Sequence, residues 1–493
     1  MSEASVANTN SRVGTGDGLQ GGSRGMLWLG AIVALGAVLR LVALGNKSFW
    51  LDEIASMVIT RLPAQQFWAM LWHHEGNMAL YYVLLRSWLR FGVSEAHVRL
   101  FSAIVGTASI PMMYALGKLL CGENPARLAT LLFALNGCAV AVSQEARGYS
   151  LLVLGVLVST YLFVQLIDRP TLGIACAYGI VAGMSLYCHY FAMLVPAAQV
   201  ISLAALPEGR PWPWKQLSLA ASIIVLLAIP VLWMIRIQDI GHISWVERPS
   251  WLEVYHLGAY LAAGSGKVVG AVLLLLDLSL LALFLRQLMS LWRDRDHDLR
   301  CWRHVLIASC FFSPLVIALL VSIVRPIFYH RFLVIDLPSW VLMTAVGAVG
   351  IHSRTRRASV IAGVCMLSLL GVVLSYSRVQ EDWRGVTRYL NARATPDDRV
   401  LYYQPQGYFA VENYRTWLLG GSAVPPQGIA INPAGNDWEK QIQGASRVWL
   451  VLYRAKLDDP VTQAIETTLG RRYSAKLQVP FRAVTIIEYR ADR

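Results

Sequence analysis

A chain of 493 residues that is 56% hydrophobic and 15% charged, with a mean hydropathy of +0.49, carries more apolar surface than a soluble domain can hide. The lipid bilayer is therefore its expected solvent. The formal net charge of +13 lies mostly in short loops between apolar runs, where the positive-inside rule places basic residues, so it speaks for topology and against nucleic-acid binding.

Residues 1–25 are rich in Ser and Gly and almost free of large apolar side chains, which predicts a disordered cytoplasmic tail. The first long apolar run, 26–45, lacks the small-residue exit of a cleaved signal peptide and reads as a retained span. Runs at 216–234, 267–290 and 358–376 have the length that matches a hydrocarbon core of roughly 30 Å. From residue 100 onward the loops alternate between two kinds. One kind is plain and basic, as in 118–127, 293–303 and 352–357. The other is rich in aromatic, His, Arg and carboxylate residues, as in 144–149, 188–191, 235–265 and 325–331. Putting the basic loops inside predicts about 11 spans within 26–376, with a first outer loop at 46–99. The stretch 78–92 carries Arg86 and Arg90 in about 15 residues and reads as an interfacial or re-entrant helix rather than a crossing. After Tyr376 charges return and apolar runs shorten, with helix patterns in DWRGVTRYLNARA at 382–394 and PVTQAIETTLG at 460–470 and strands in VLYYQ at 400–404, VWLVLYR at 448–454 and AVTIIEYR at 483–490, so 377–493 is expected to be a small soluble α/β domain on the extracytoplasmic side. The fold class is thus mainly α: a polytopic transmembrane helical bundle with a C-terminal α/β appendage. The seven cysteines lie in or beside apolar runs and read as small core residues.

Charges next to spanning helices are costly unless paired or facing water, and those of this chain concentrate on one predicted face. Asp52 and Glu53 follow Trp50 just after the first span, where a carboxylate can take a proton from an incoming hydroxyl. A helix N-cap is the plainer role for that position. Arg147 with Tyr149, His189 with Tyr190, Lys267, Arg325, His330 and Arg331 share the same predicted side. Several cations and aromatics around one carboxylate suit a phosphate-linked sugar donor, whose leaving group is an anion. Each of them alone is more often an interface anchor. His73, His74 and Glu75 have ligand types suited to a divalent metal, with His74 and Glu75 the candidate pair; neighbouring side chains on a helix diverge, which works against a single shared ion. Asp277 sits in mid-run with no sequence-level partner.

The segments FWLDE at 49–53, LYYVLLRSWLRFGVSEAHVRLFSAIVG at 80–106, SQEARGYSLL at 143–152, LYCHYFAMLVPAAQ at 186–199, RPIFYHRFLVIDLP at 325–338 and DWRGVTRYL at 382–390 resemble the GT-C glycosyltransferases. The resemblance is to the bacterial branch similar to protein O-mannosyltransferases and the lipid A aminoarabinose transferase. It implies inverting sugar transfer from a polyprenyl-phosphate donor to an envelope glycan, lipid or protein acceptor, at the outer face of a bacterial inner membrane. It implies Asp52 as general base with Glu53 as understudy, and Arg147, Tyr149, Arg325 and Arg331 near the donor phosphate, where the shared predicted side also puts Lys267. Trp50, Tyr81, Tyr82, His189, Tyr190 and His330 are then expected to line the substrate. One departure stands out: where the family commonly has His-Pro-Pro before the LYY segment, this chain has Asn77, Met78 and Ala79. The competing class is a polytopic lipid or glycan transporter, which usually places its polar site near the bilayer midplane.

Overall fold

The computed structural model describes residues 17–238, 246–264, 267–293, 298–418, 426–431, 438–455 and 459–492. Helix α1 (Asp17–Leu41) begins inside the expected tail, because a helix nucleated on an apolar segment extends backward at little cost per residue. Residues 1–16 of that tail lie outside the described residues. Three short helices follow, α2 (Leu51–Arg61), α3 (Ala64–His73) and α4 (Ala79–Trp88). With ten residues α4 is about 15 Å long, half of what a crossing needs. Arg86 on α4 donates to the carbonyls of Thr60 and Leu62 and lies over the Phe67 ring, so one side chain satisfies the end of α2 and fixes α3 and α4 to it.

The bundle continues with α5 (Glu95–Cys121), α6 (Glu123–Leu135), α7 (Gly137–Ser143), α8 (Tyr149–Asp168), α9 (Leu172–Ser185), α10 (Leu194–Ser202) and α11 (Trp214–Ile237). It closes with α12 (Trp251–Ala263), α13 (Lys267–Arg293), α14 (Leu299–Val324), α15 (Leu337–Val349) and α16 (Arg354–Tyr376). Among the described residues, seven helices are long and apolar enough to cross a membrane: α5, α8, α11, α13, α14, the run Phe332–Val349 that contains α15, and α16. The α6–α7 pair, bent by 54°, makes an eighth if it counts as one span. The chain is a multi-pass membrane protein. The expected eleven spans would require α1, α9 and the Tyr190–Ala205 segment to cross too, and the apolar stretch of each, Gly25–Leu41 in the case of α1, is 10–17 residues, shorter than the roughly 20 a spanning helix needs.

The α6–α7 break positions the site. Asn136 caps α7 by accepting from the Ala139 N–H at 2.9 Å and donates to the Leu261 carbonyl of α12 at 2.8 Å. Gly137 lets the two backbones touch, since a Cβ there would meet the Ala263 carbonyl at 2.1 Å. In mid-bundle, Asp277 accepts from the Trp340 indole at 2.9 Å, the partner that the sequence did not reveal.

The C-terminal region holds α17 (Trp383–Arg393), α18 (Pro405–Leu418), α19 (Trp438–Gln441) and α20 (Pro460–Gly470). They accompany a five-stranded mixed sheet of order β2-β1-β3-β5-β4. Its strands are β1 (Arg399–Tyr403), β2 (Gln427–Ile431), β3 (Arg447–Tyr453), β4 (Tyr473–Phe481) and β5 (Val484–Ala491). Central β1 and β3 are parallel and almost wholly buried, which is why they read as unbroken apolar runs. β4 is an exposed edge, bulged between Ala475 and Leu477 and bearing Lys476 and Pro480, features that blunt edge-to-edge pairing. Buried Asp398 ties the start of β1 to the start of β3 by accepting from Arg447 Nε at 2.9 Å and Trp449 Nε1 at 3.0 Å.

Candidate active site

The two adjacent acids at the start of α2 diverge. Trp50 is extended (φ −91°, ψ 171°) and starts the helix, and Glu53 reaches back to its N–H at 3.4 Å. Glu53 is fully buried, holds Arg99 of α5 through contacts of 2.8 and 2.5 Å, and accepts the Ala146 N–H at 2.8 Å. Its oxygens are committed, so Glu53 is corrected from reserve base to a strut that fixes Ala146, and with it Arg147, against α2. Asp52 points the other way, with 41% of its side chain exposed.

Arg147 leaves the Gln144–Gly148 loop between α7 and α8 and sets Nη2 3.8 Å from Asp52 Oδ2. Its Nη1 donates to the Tyr82 hydroxyl at 3.1 Å, and that hydroxyl donates to Glu75 at 3.4 Å. Burial raises the Tyr82 phenol above the usual tyrosine range and outweighs the Arg147 charge, which opposes the shift, so Tyr82 is neutral.

Arg331 enters from the loop after α14. It ion-pairs with Glu145, and its guanidinium lies over the rings of Trp50 (4.9 Å) and Tyr149 (5.3 Å). Burial pushes the Glu145 carboxyl up and Arg331 opposes that shift. The Tyr149 ring sits 6.0 Å from His189. His189 is buried and is pushed down to about 3 by desolvation and by Arg147, so it is neutral. Because its Nδ1 accepts the Phe191 N–H at 3.2 Å, the hydrogen resides on Nε2. Four buried N–H donors in this chain of contacts, Trp50 Nε1, Arg147 Nε, His189 Nε2 and Arg331 Nε, have no hydrogen-bond acceptor among the described residues. Unsatisfied buried donors gathered in one place mark a position for an oxygen-rich ligand.

The structure brings Trp50, Asp52, Tyr82, Arg147, Tyr149, His189 and Arg331 together and leaves others out. Tyr81 is turned into the bundle, bonded to Ser102 at 3.0 Å, because consecutive helical side chains point apart. Tyr190 bonds Gln238 at 3.1 Å, and Arg325 is exposed at the end of α14 with no ion pair among the described residues. The Lys267 side chain lies outside the described residues. His330 sits beside the cluster, edge-on to the Tyr260 and His256 rings, with Nδ1 3.6 Å from Glu253. The proposed metal pair fares poorly: His74 is exposed, Glu75 faces Tyr82, and no three His, Cys, Asp or Glu among the described residues are placed to hold an ion. Sequence reasoning missed Arg99 and Glu145, although both lie in quoted segments; their partners, 46 and 186 residues away, carry no local signal.

Residues 78–234 match the family model described as dolichyl-phosphate-mannose-protein mannosyltransferase. A segment of 162 residues is 29% identical to the putative mannosyltransferase YkcB of Bacillus subtilis (strain 168), covering 32% of this chain and 22% of that protein. The chain superposes on ArnT from Cupriavidus metallidurans, solved bound to undecaprenyl phosphate, with a TM-score of 0.60 at 12% identity over 94% of this chain and 98% of ArnT. The fold is that of the GT-C glycosyltransferases. The archaeal oligosaccharyltransferase AglB from Archaeoglobus fulgidus, solved with an inhibitory peptide and a dolichol-phosphate, shares this GT-C fold at a TM-score of 0.55 and 10% identity, over 94% of this chain and 74% of AglB. The family match begins at residue 78, so it spans Arg147, Tyr149 and His189 but not Asp52.

Proposed function

We propose that the protein is an inverting glycosyltransferase that moves a sugar from a polyprenyl-phosphate carrier to an envelope glycan, lipid or protein acceptor on the extracytoplasmic face of a bacterial inner membrane. The observation that carries this is the pairing of one half-exposed carboxylate, Asp52, with a cluster of buried donors that have no acceptor of their own. In the reaction, Asp52 takes the proton of the acceptor hydroxyl as the acceptor oxygen bonds to the anomeric carbon. The bond from that carbon to the phosphate oxygen breaks on the opposite face, and Arg147 and Arg331 receive the charge released on the polyprenyl phosphate. One displacement inverts the anomeric centre. A positioned base of this kind is worth about 10²- to 10⁴-fold, and each hydrogen bond to the charged leaving group adds about 1.5–3 kcal/mol. The relatives solved with undecaprenyl phosphate and with a dolichol-phosphate support a lipid-linked donor. A transporter is disfavoured because the midplane carboxylate that would suit one, Asp277, is bonded to Trp340. Mass spectrometry of envelope glycans and lipids from cells with and without the gene tests the reading. A product heavier by one sugar in gene-bearing cells is expected; identical profiles together with no release of polyprenyl phosphate by the purified protein would overturn it.

A further inference from the structure

Glu381, between the last membrane helix and α17, is fully buried, and four donors converge on its carboxylate. Oε2 accepts the Leu51 N–H and the Trp383 indole, each at 2.8 Å, and Oε1 accepts Tyr453 Oη at 2.7 Å and Arg454 Nη2 at 2.8 Å. Leu51 immediately precedes Asp52, Tyr453 ends β3 and Arg454 follows it. One carboxylate therefore joins the first turn of the acid-bearing helix to the sheet of the C-terminal region. Its neighbours extend the same junction. Gln380 reaches Glu145, the partner of Arg331, at 3.5 Å. Arg384 holds Glu95 at 2.7 Å and the Asn46 carbonyl at 2.5 Å, while its N–H donates to Ser48 at 3.0 Å. Tyr414 of α18 donates to Glu95 at 2.6 Å and accepts the Phe49 N–H at 2.6 Å.

We propose that Glu381 is a positioning residue that sets the Asp52 carboxylate through the Leu51 N–H, so that the C-terminal region governs the geometry of proton transfer. This rests on the transferase reading with Asp52 as base. The carboxylate is suited to the task because all four groups facing it are donors, and it presents only acceptors. An amide at this place would turn its own N–H groups toward at least one of them and release the start of α2. Displacement of a catalytic group by about 1 Å costs up to about 10²-fold in rate.

The test measures kcat and donor KM of the full-length protein in detergent or vesicles for Glu381→Gln, Tyr453→Phe and Asp398→Asn. Asp398 serves as the comparison because it braces the far end of β3 without touching the junction. Glu381→Gln is expected to lower kcat by about tenfold to hundredfold, with donor KM held within about twofold. Tyr453→Phe, which removes one donor of the four, should show a smaller fall of the same kind. Asp398→Asn should lose thermal stability while the folded protein keeps its kcat. Full kcat in Glu381→Gln, an equal loss of kcat in Asp398→Asn, or, if Glu381→Gln does not fold, unchanged kcat in Tyr453→Phe would overturn the proposal. An inactive Asp52→Asn beside a fully active Glu381→Gln would sink the positioning role alone, whereas an active Asp52→Asn would remove the reading it rests on.

Discussion

Asp52 and Glu53 are neighbours with different fates, and helical geometry makes the difference. A rotation of about 100° per residue sends one side chain to the open face and the other into the bundle, where Arg99 waits. Breaking such a buried pair by removing one partner leaves an uncompensated charge, so Glu53→Gln should cost about 3–5 kcal/mol. Thermal unfolding in detergent checks this, and the loss should be visible as reduced yield before any assay of transfer. Arg147→Ala should act on binding instead. It removes the cation beside Asp52 and frees Tyr82, so donor KM should rise by about tenfold or more, the effect of losing one charge-assisted contact, while acceptor KM changes little. Steady-state kinetics with each substrate varied in turn separates the two; an unchanged donor KM would take Arg147 away from the phosphate.

At the scale of elements, the C-terminal sheet supplies a pH prediction. Burial works against the charged form of Asp398, but the Arg447 and Trp449 donors outweigh it and hold the carboxyl below the usual carboxylate range. A depressed folded value means that Asp398 contributes stability above the unfolded value of about 4, and that this contribution is lost as pH falls through the folded value. Melting temperatures followed from neutral pH to below pH 4 should therefore decline in the wild type, and Asp398→Asn should flatten the part of that decline due to this residue. Strands β1 and β3 were legible in the sequence as unbroken apolar runs, and strand β5 and helices α17 and α20 as apolar patterns bounded by turns or caps. Helix α18 and strands β2 and β4 were not. PQGYFAVENYRTWL has polar residues on both faces, QGIAI opens on Gln and Gly and so lacks the apolar run of the equally short β1, and YSAKLQVPF is an exposed edge that satisfies its neighbours rather than a core. Likewise α2 and α3 looked like loop because their apolar faces are matched to neighbouring helices and not to a bilayer, whereas α4 falls within the interfacial helix expected at 78–92.

Across the whole molecule, four loops far apart in sequence, after α1, after α7, after α9 and after α14, arrive at one cluster because the bent α6–α7 pair and the short α4 let the chain turn back on itself. The sequence showed which loops were chemically rich, and hence Asp52, Arg147 and Arg331 as companions. It did not show that Glu145 and Glu53 are ion-paired, that Tyr81 faces inward, or that the C-terminal region clamps the first loop, since these are long-range contacts that no local pattern encodes. In the proposed mechanism a single carboxylate, Asp52, is answerable for the chemistry. The decisive measurement is the rate of sugar transfer from a polyprenyl-phosphate donor by purified Asp52→Asn beside the wild type, with membrane insertion and thermal stability matched. A fall of at least about 10²-fold with donor KM preserved is expected for the loss of a general base; transfer at the wild-type rate would contradict Asp52 as the group that takes the acceptor's proton.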